Sequence, residues 1–464
     1  MSDINEVELE PFNQSRVVVS RSTGEIFQRN GSAIPRPNVT GGAIDRDSLA
    51  TLLHSGVIFP PNTIYSEYAS VGMGGKLSLS EQKISYTAID NLFQEPADAS
   101  VPTFDCIEEL ANSLGSSSLD FDNATLLLSE GKDSAGIALA LAEIGVKIEC
   151  LTFANADTNV EFVESLAKTL GHRLTLFRYH DMRISEDAIN RLGSVFEPTL
   201  DQAFLSYLLL PMEQLAGRTL LDGMGNDLYM GHLPSKQQRQ ATIVSGAMER
   251  VVPMSLRNRF RDWCSSDNAS SGVPFRSFTE CQGFYNGFSQ GLVEKSTQGR
   301  VAKLEHLDSN WRELGFERSR ALSRGRFLDT YSYSSKTIAL AEMIEGRVVF
   351  PWCDSNIAKK FATIDDDRKF NWPTTNKRML RDAISKRISY KQPKVGFRAP
   401  VVEILVENRK LVEHVISNSS TLGPELIAFL LKLKSGSPRL ACGFLYALWE
   451  FSTNAGRNKL ISES

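Results

Sequence analysis

The residues best suited to chemistry stand together in one stretch after an apolar run: Ser129-Glu130-Gly131-Lys132-Asp133-Ser134. A strand that turns at Gly131 into a helix beginning near Ser134 would direct backbone N–H groups and a helix dipole at one point, which suits a phosphate. Lys132 adds positive charge, and Ser129 and Ser134 add hydroxyl donors. Asp133 would repel a phosphate unless a Mg²⁺ ion lay between them. We therefore predict a phosphate-binding loop; the alternative is an ordinary polar turn.

A second polar stretch follows another apolar strand, 219–221, and reads Asp222-Gly223-Met224-Gly225-Asn226-Asp227. Gly223 and Gly225 permit a tight turn whose backbone can approach a phosphate closely. Asp227 supplies a second carboxylate. If the two strands are neighbours in one parallel sheet, Asp133 and Asp227 lie at adjacent strand ends and could share Mg²⁺ ions. We therefore predict both aspartates as metal ligands.

Strands and helices alternate between residues 125 and 221, which is the pattern of a parallel sheet with right-handed crossovers. Apolar segments predict strands at 125–128, 147–153 and 173–178, with a helix at 159–171. Ligands bind such sheets beyond the carboxyl ends of the strands. That edge would carry both polar stretches and, after the second strand, Thr152 and Phe153. We predict a doubly wound α/β fold with a helical C-terminal part.

Length and composition are those of an ordinary globular protein. The chain has 464 residues and a formal net charge of −4, which gives no electrostatic reason to expect binding to nucleic acid or to an acidic membrane. Its 6 cysteines form no C-x-x-C pair, which favours reduced thiols over a zinc site. The polar N-terminus predicts no signal peptide, and no apolar run has transmembrane length. We expect a cytoplasmic protein with a small β-rich domain over 1–100 and a larger domain over 101–464.

Both polar stretches resemble elements of one enzyme superfamily. The first resembles the SGGxDS loop of the ATP pyrophosphatase (PP-loop) superfamily, although Glu130 stands where glycine is usual. The second resembles the SG-x-G-x-DE-x-x-x-G element of asparagine synthetases, and the residues in register are Gly223, Gly225, Asp227 and Gly231. Asp222 and Leu228 replace the usual serine and glutamate. The chain thus looks similar to asparagine synthetase B, β-lactam synthetase and lasso peptide cyclases, which implies an adenine nucleotide α hydrolase-like fold.

A third match lies nearer the C-terminus, where two segments resemble the K-x-x-L-R-x-A and R-x-P-K-x-G-F-x-x-P elements of the same family. The residues in register are Lys377, Leu380, Arg381, Ala383, Lys394, Gly396, Phe397 and Pro400. The resemblance implies that Lys394 is catalytic, because a cation there can neutralise charge on the α-phosphate and the leaving pyrophosphate. Lys391 is a weaker candidate, and a solvated basic loop is the alternative.

The resemblance implies roles for other residues as well. Glu345 matches a glutamate that lines the acceptor site, although the segment after Arg347 is two residues longer than in the family. Glu342 is the other candidate, and an ion pair between Glu345 and Arg347 is the structural alternative. The end of the second strand contacts adenine and ribose in the family. The implied ATP-binding residues are Ser129, Gly131, Lys132, Asp133, Ser134, Thr152, Phe153, Gly223, Gly225 and Asp227.

The N-terminal region resembles only the end of a glutaminase domain. A turn near the end of that domain in asparagine synthetases is matched by Gly56, Pro60, Thr63, Ile64 and Tyr65. Glutaminase chemistry needs an N-terminal cysteine, whereas this chain has Ser2, and too few residues precede the matched turn for a whole domain. We therefore expect a truncated, degenerate glutaminase-like domain that does not hydrolyse glutamine.

Together the resemblances imply an ATP-dependent, AMP-forming carbon–nitrogen ligase. With ATP and Mg²⁺ it would convert a substrate carboxylate into an acyl-adenylate, which an amine attacks to give an amide or a lactam. The expected substrate is a small-molecule or peptide carboxylate; the amine donor and homodimer formation are left open. One alternative is a non-catalytic scaffold or regulator, favoured by Glu130, Asp222 and Leu228. The other is a tRNA- or sulfur-modifying enzyme of the superfamily.

Overall fold

A computed structural model of the chain describes residues 6–9, 17–28, 43–72, 74–80, 83–88, 100–155, 158–230, 288–302, 333–371, 375–389 and 399–463. The strands, in chain order, are β1 (Glu6–Glu8), β2 (Val17–Ser20), β3 (Ile26–Gln28), β4 (Tyr68–Val71), β5 (Gly75–Ser80), β6 (Lys83–Ala88), β7 (Ala124–Leu127), β8 (Glu149–Ala154), β9 (Arg173–Arg178), β10 (Thr219–Leu221) and β11 (Arg347–Val349).

The helices alternate with these strands and dominate the C-terminal part of the chain. They are α1 (Arg46–Ser55), α2 (Cys106–Ser116), α3 (Lys132–Glu143), α4 (Val160–Leu170), α5 (Glu186–Leu192), α6 (Phe204–Tyr207), α7 (Met212–Leu215), α8 (Asp227–Met230), α9 (Gln290–Thr297), α10 (Ser334–Met343), α11 (Ser355–Thr363), α12 (Asp366–Lys369), α13 (Arg378–Ser385), α14 (Val401–Glu407), α15 (Arg409–Ser417), α16 (Pro424–Leu431) and α17 (Pro438–Glu463). A 3₁₀ helix, Pro351–Cys353, follows β11.

Five parallel strands form the central sheet in the order β11-β10-β7-β8-β9. This sheet confirms the predicted α/β class and the predicted parallel strands. The edge strand β11, Arg347–Val349, is an addition to the predicted strands. β7 and β10 are hydrogen-bonded neighbours, with Leu220 opposite Thr125. Their carboxyl ends, which lead into the two polar stretches, therefore lie side by side at one edge of the sheet.

Helices cover both faces of this sheet. Leu220 and Leu221 are consecutive in β10, so their side chains point to opposite faces, and each belongs to a different buried apolar cluster. The cluster around Leu221 includes residues of α2, α3 and α13, and the cluster around Leu220 includes residues of α10 and α17. Burial on both faces explains why these strands are continuous apolar runs rather than alternating ones.

The N-terminal part contains two small antiparallel sheets, ordered β1-β5-β6 and β3-β2-β4, together with α1. α1 begins after Asp45, whose Oδ1 accepts a hydrogen bond of 2.7 Å from the Ser48 backbone N–H. The helix ends at Gly56, whose φ of 80° is a left-handed conformation that glycine adopts without strain.

This N-terminal part shares its apolar core with the rest of the molecule. The ring centroid of Tyr65 lies 5.4 Å from that of Phe196 and 6.1 Å from that of Trp449 in α17. Glu197 also joins the two parts, because it is buried and accepts a hydrogen bond of 3.1 Å from the Ile64 backbone N–H. The core is thus continuous across residue 100, and the division into two domains stays a prediction.

Most of the segment 235–330 lies outside the described residues; within it the structure describes 288–302, including α9. In the described part of the chain, no helix has both the length and the apolar composition needed to cross a membrane.

Candidate functional site

The 129–134 stretch forms a compact turn between β7 and α3. The Ser129 backbone N–H donates to Ser134 Oγ at 3.0 Å, and the Gly131 N–H donates to Ser129 Oγ at 3.1 Å. Both hydroxyl groups therefore stabilise the conformation of the loop, whether or not they also bind a ligand. Gly131 precedes α3 with a φ of −75°, which any residue can adopt, and a Cβ there would lie 3.0 Å from Ser129 Oγ, a tight contact. α3 begins at Lys132, slightly earlier than predicted.

Glu130, the residue that departs from the family pattern, turns away from this loop. Its Oε2 accepts a hydrogen bond of 3.2 Å from the backbone N–H of Asn159, the residue before α4. A carboxylate at the N-terminal end of a helix is stabilised by the helix dipole. The carboxylate of Glu130 therefore stabilises the N-terminal end of α4.

The 222–227 stretch packs directly on the first loop. A Cβ at Gly223 would lie 2.9 Å from the Ser134 backbone nitrogen and 3.2 Å from the Asp133 carbonyl carbon, which leaves room only for glycine. Gly225 has a φ of 110°, a conformation that L side chains rarely adopt. The two glycines therefore bring the loops after β7 and β10 into backbone contact, in agreement with the predicted tight turn.

Asp133 and Asp227 come together as predicted, but around a lysine. Lys377 Nζ donates to Asp133 Oδ1 at 2.8 Å and to Asn226 Oδ1 at 2.5 Å, and it forms an ion pair with Asp227. Asn226 Nδ2 donates in turn to Asp133 Oδ1 at 2.8 Å. Burial lowers the pKa of Lys377, but the two aspartates raise it more, so the pKa lies above its ordinary value. Lys377 is therefore a permanent cation between the two carboxylates.

A second buried lysine stands beside this network. Burial, together with repulsion from Lys377 and Arg381, lowers the pKa of Lys132 to about 8, although Asp133 and Asp227 oppose the shift. The group thus contains three cationic side chains and two carboxylates. The group therefore has excess positive charge and is poorly hydrated. A polyanion such as a di- or triphosphate would neutralise this charge.

A metal ion fits this group only together with ligands that come from a substrate. Among the described residues, no three or more His, Cys, Asp or Glu side chains are grouped as a metal site would need. Mg²⁺, however, is commonly held by one or two carboxylates plus substrate phosphates and water. The side chain of Asp133 is 30% exposed beside Lys377, so it remains accessible to such an ion. Asp133 and Asp227 are therefore the residues that would hold Mg²⁺ if it entered with a phosphate ligand.

Thr152 and Phe153, the predicted adenine contacts, already bond to or pack against other residues through their side chains. Thr152 Oγ1 donates to the Leu128 carbonyl oxygen at 2.8 Å, on the neighbouring strand. The Phe153 ring stacks on Tyr207, with centroids 5.1 Å apart and planes at 11°. Thr152 and Phe153 can therefore offer a nucleotide mainly their backbone groups.

The predicted acceptor-site glutamates are not brought to the loops. Glu345 is exposed, in a left-handed conformation with a φ of 53°, and it precedes β11. Residues that precede a strand of a parallel sheet lie at its amino edge, whereas the loops follow the carboxyl ends. Glu342 is buried, and its Oε2 accepts a hydrogen bond of 3.0 Å from the Phe196 backbone N–H. Arg347 donates to Thr219 Oγ1 at 2.8 Å. The structure thus places Glu345 at the edge of the sheet opposite the two loops, and its catalytic role stays a prediction.

Lys394 and its weaker alternative Lys391 lie outside the described residues, so the predicted catalytic lysine stays a prediction. The functional residue that sequence reasoning missed is Lys377. It is the first residue of the K-x-x-L-R-x-A match, but the match assigned no role to it. The spacing of that motif was the signal that could have identified it, together with Arg381 in the same match.

Comparison with protein-family models finds no match, and comparison with curated proteins finds none either.

Proposed function

We propose that this protein is an ATP-dependent, AMP-forming ligase that joins a carboxylate and an amine. The observation that supports the proposal most directly is the contact between the loops after β7 and β10, with Lys132, Lys377 and Arg381 gathered around Asp133 and Asp227. A glycine-rich backbone, a helix start and excess positive charge at the carboxyl edge of a parallel sheet suit a polyphosphate.

In the proposed reaction, a substrate carboxylate attacks the α-phosphate of ATP, and pyrophosphate leaves. An amine then attacks the acyl-adenylate, and AMP leaves as the amide or lactam forms. Lys132 and Lys377 would neutralise the charge of the departing pyrophosphate, and Lys394 would act on the α-phosphate. Mg²⁺ held by Asp133 and Asp227 would screen the repulsion between phosphate oxygens. Placement and charge neutralisation carry most of the catalysis in such steps.

The finer fold assignment belongs to this proposal. Helices on both faces of the parallel sheet agree with a doubly wound, adenine nucleotide α hydrolase-like domain. The small sheets and α1 would be the remnant of a glutaminase domain. In the proposed reaction the amine comes from a second substrate or from the same substrate.

The test is exchange of labelled pyrophosphate into ATP, measured with Mg²⁺ and a panel of small-molecule and peptide carboxylic acids. Exchange that depends on one acid supports the ligase, and an Asp227→Asn variant should abolish it. Absence of exchange with every acid, in a protein that still binds ATP, would instead support the scaffold alternative. The observation that favours this alternative is Lys377, which stands between the two carboxylates predicted to bind Mg²⁺. The tRNA- or sulfur-modifying alternative is disfavoured by the net charge of −4.

A further inference from the structure

Trp352, in the 3₁₀ helix that follows β11, contacts both aspartate-bearing segments through hydrogen bonds. Its indole Nε1–H donates to the Asp133 carbonyl oxygen at 2.9 Å. Its own carbonyl oxygen accepts a hydrogen bond from the hydroxyl of Tyr229, two residues after Asp227 in α8. One residue therefore holds the first turn of α3 with its side chain and α8 with its backbone.

Packing leaves Trp352 little freedom to move. The side chain is fully buried, and a Cβ at Gly136 would lie 2.8 Å from the indole Cζ2, so the ring rests directly on the α3 backbone. Tyr229 is also buried, and its ring centroid lies 5.2 Å from that of Phe361 in α11. A rigid aromatic support beneath two loops limits how far their carboxylates can separate.

We propose that Trp352 is a positioning residue of the phosphate site: its indole N–H and its carbonyl oxygen keep the Asp133 and Asp227 segments at the separation that Lys377 bridges. Its hydrogen bonds go to the backbone of Asp133 and to Tyr229, so it acts on the site through these two groups. The role in phosphate binding rests on the proposed function, whereas the role in holding the loops can be tested without it.

The test compares Trp352→Phe with Trp449→Phe in the full chain. Trp449 is a matched control, because it is equally buried and its Nε1–H donates to the Val195 carbonyl oxygen at 2.8 Å, in the core shared with Tyr65. Hydrogen exchange, followed by mass spectrometry, is measured for peptides that cover 128–136 and 222–230. Titration with inorganic pyrophosphate and Mg²⁺ gives the affinity of each protein.

W352F removes the indole N–H but keeps the backbone carbonyl oxygen, so we expect it to speed exchange in the 128–136 peptide and to weaken pyrophosphate binding by about three- to tenfold, the equivalent of one hydrogen bond. W449F should leave hydrogen exchange in both peptides and the affinity for pyrophosphate unchanged, even if it lowers the free energy of unfolding as much as W352F does. A Tyr229→Phe variant should speed exchange in 222–230 alone. Unchanged exchange in W352F, or the same change in W449F, would overturn the inference. Wild-type protein that binds no pyrophosphate would contradict the proposed function, and the exchange data would still decide the role of Trp352.

Discussion

Lys377 lies at the centre of the candidate site in a backbone conformation that few lysines adopt. Its φ of 49° and ψ of 50° are left-handed, which costs a non-glycine residue about 1–2 kcal/mol. Strained residues of this kind persist where their surroundings determine them, and they concentrate at functional sites. Here the hydrogen bonds from Nζ to Asp133 and Asn226 supply that constraint. The strain therefore agrees with a role for Lys377 beyond stability.

Replacement of Lys377 by methionine tests this role. K377M leaves Asp133 and Asp227 facing each other without a cation, so we expect the free energy of unfolding to fall by about 3 kcal/mol, because a broken buried ion pair leaves uncompensated charge. We also expect pyrophosphate exchange to disappear. Urea unfolding and the exchange assay measure the two effects.

Arg218→Met is the control for that variant. Arg218 Nη1 lies 2.8 Å from Glu149 Oε2, and both residues stand at the amino edge of the same sheet, away from the loops. R218M should lower the free energy of unfolding but leave pyrophosphate exchange per folded molecule unchanged. If both variants lost exchange to the same degree, the loss would reflect stability and the role of Lys377 in the site would be refuted.

Lys132 gives the site a pH dependence. Its ammonium is charged below the pKa of about 8 and neutral above it, so affinity for pyrophosphate should fall as the pH rises through 8. Lys132→Arg keeps its charge throughout this range. Calorimetric titrations between pH 7 and 9 should show a steeper loss of affinity in the wild type than in K132R. Pyrophosphate ionises equally in both experiments, so parallel curves would refute the assignment.

At the scale of elements, the site depends on how closely the loop after β10 approaches the start of α3. Gly223 stands at that contact, and the atoms its Cβ would meet belong to the backbone, which cannot rotate away. The separation of the two loops is thus set by the absence of a side chain. The chain forms this contact before any ligand is bound, which lowers the entropy cost of binding.

Gly223→Ala should force the loops apart. We expect it to cost about 1–3 kcal/mol of stability, as overpacking does, and to abolish pyrophosphate exchange. Gly291 in α9 is the matched control, because a Cβ there would meet no atom within 4 Å. G291A should leave exchange intact and keep or raise the unfolding temperature, since alanine favours a helix. If G223A kept the wild-type rate of pyrophosphate exchange, the close contact between the two loops would be dispensable.

At the scale of the whole molecule, the N-terminal part contributes to the main core. Tyr65 is buried between Phe196 and Trp449, so the N-terminal part has a structural function in this core. Leu77, by contrast, belongs to a separate small cluster with Val17 and Val19. The two residues allow the contribution of the shared core to be measured.

Tyr65→Ala should lower the stability of the whole protein by about 3–5 kcal/mol, as large-to-small core changes of aromatic residues do. Calorimetry should show the main unfolding transition shifted to lower temperature. Leu77→Ala, in the separate cluster, should shift that transition less. A Y65A protein in which a new early transition appears while the main one stays in place would show that the N-terminal part unfolds independently.

Much of this arrangement could be predicted from local sequence. Apolar runs predicted β7 to β10, because burial on both faces of a parallel sheet leaves a continuous apolar signal, and helical periods predicted α3 and α4. Two glycine-containing stretches in the right order predicted that Asp133 and Asp227 would meet. Similarity to a motif suggested a role for Glu345, but it could not reveal that this residue lies before β11, at the edge of the sheet opposite the loops.

The sequence by itself determined which segments form β7 to β10 and which residues follow them, because these features follow from hydrophobic period and from the conformational needs of glycine. The tertiary structure alone decided what lies between the two carboxylates. Lys377 is 244 residues from Asp133 along the chain, and only the packing of α13 against α3 brings its ammonium to the loops. A contact between residues so far apart in sequence leaves no local pattern, so only the tertiary structure reveals it.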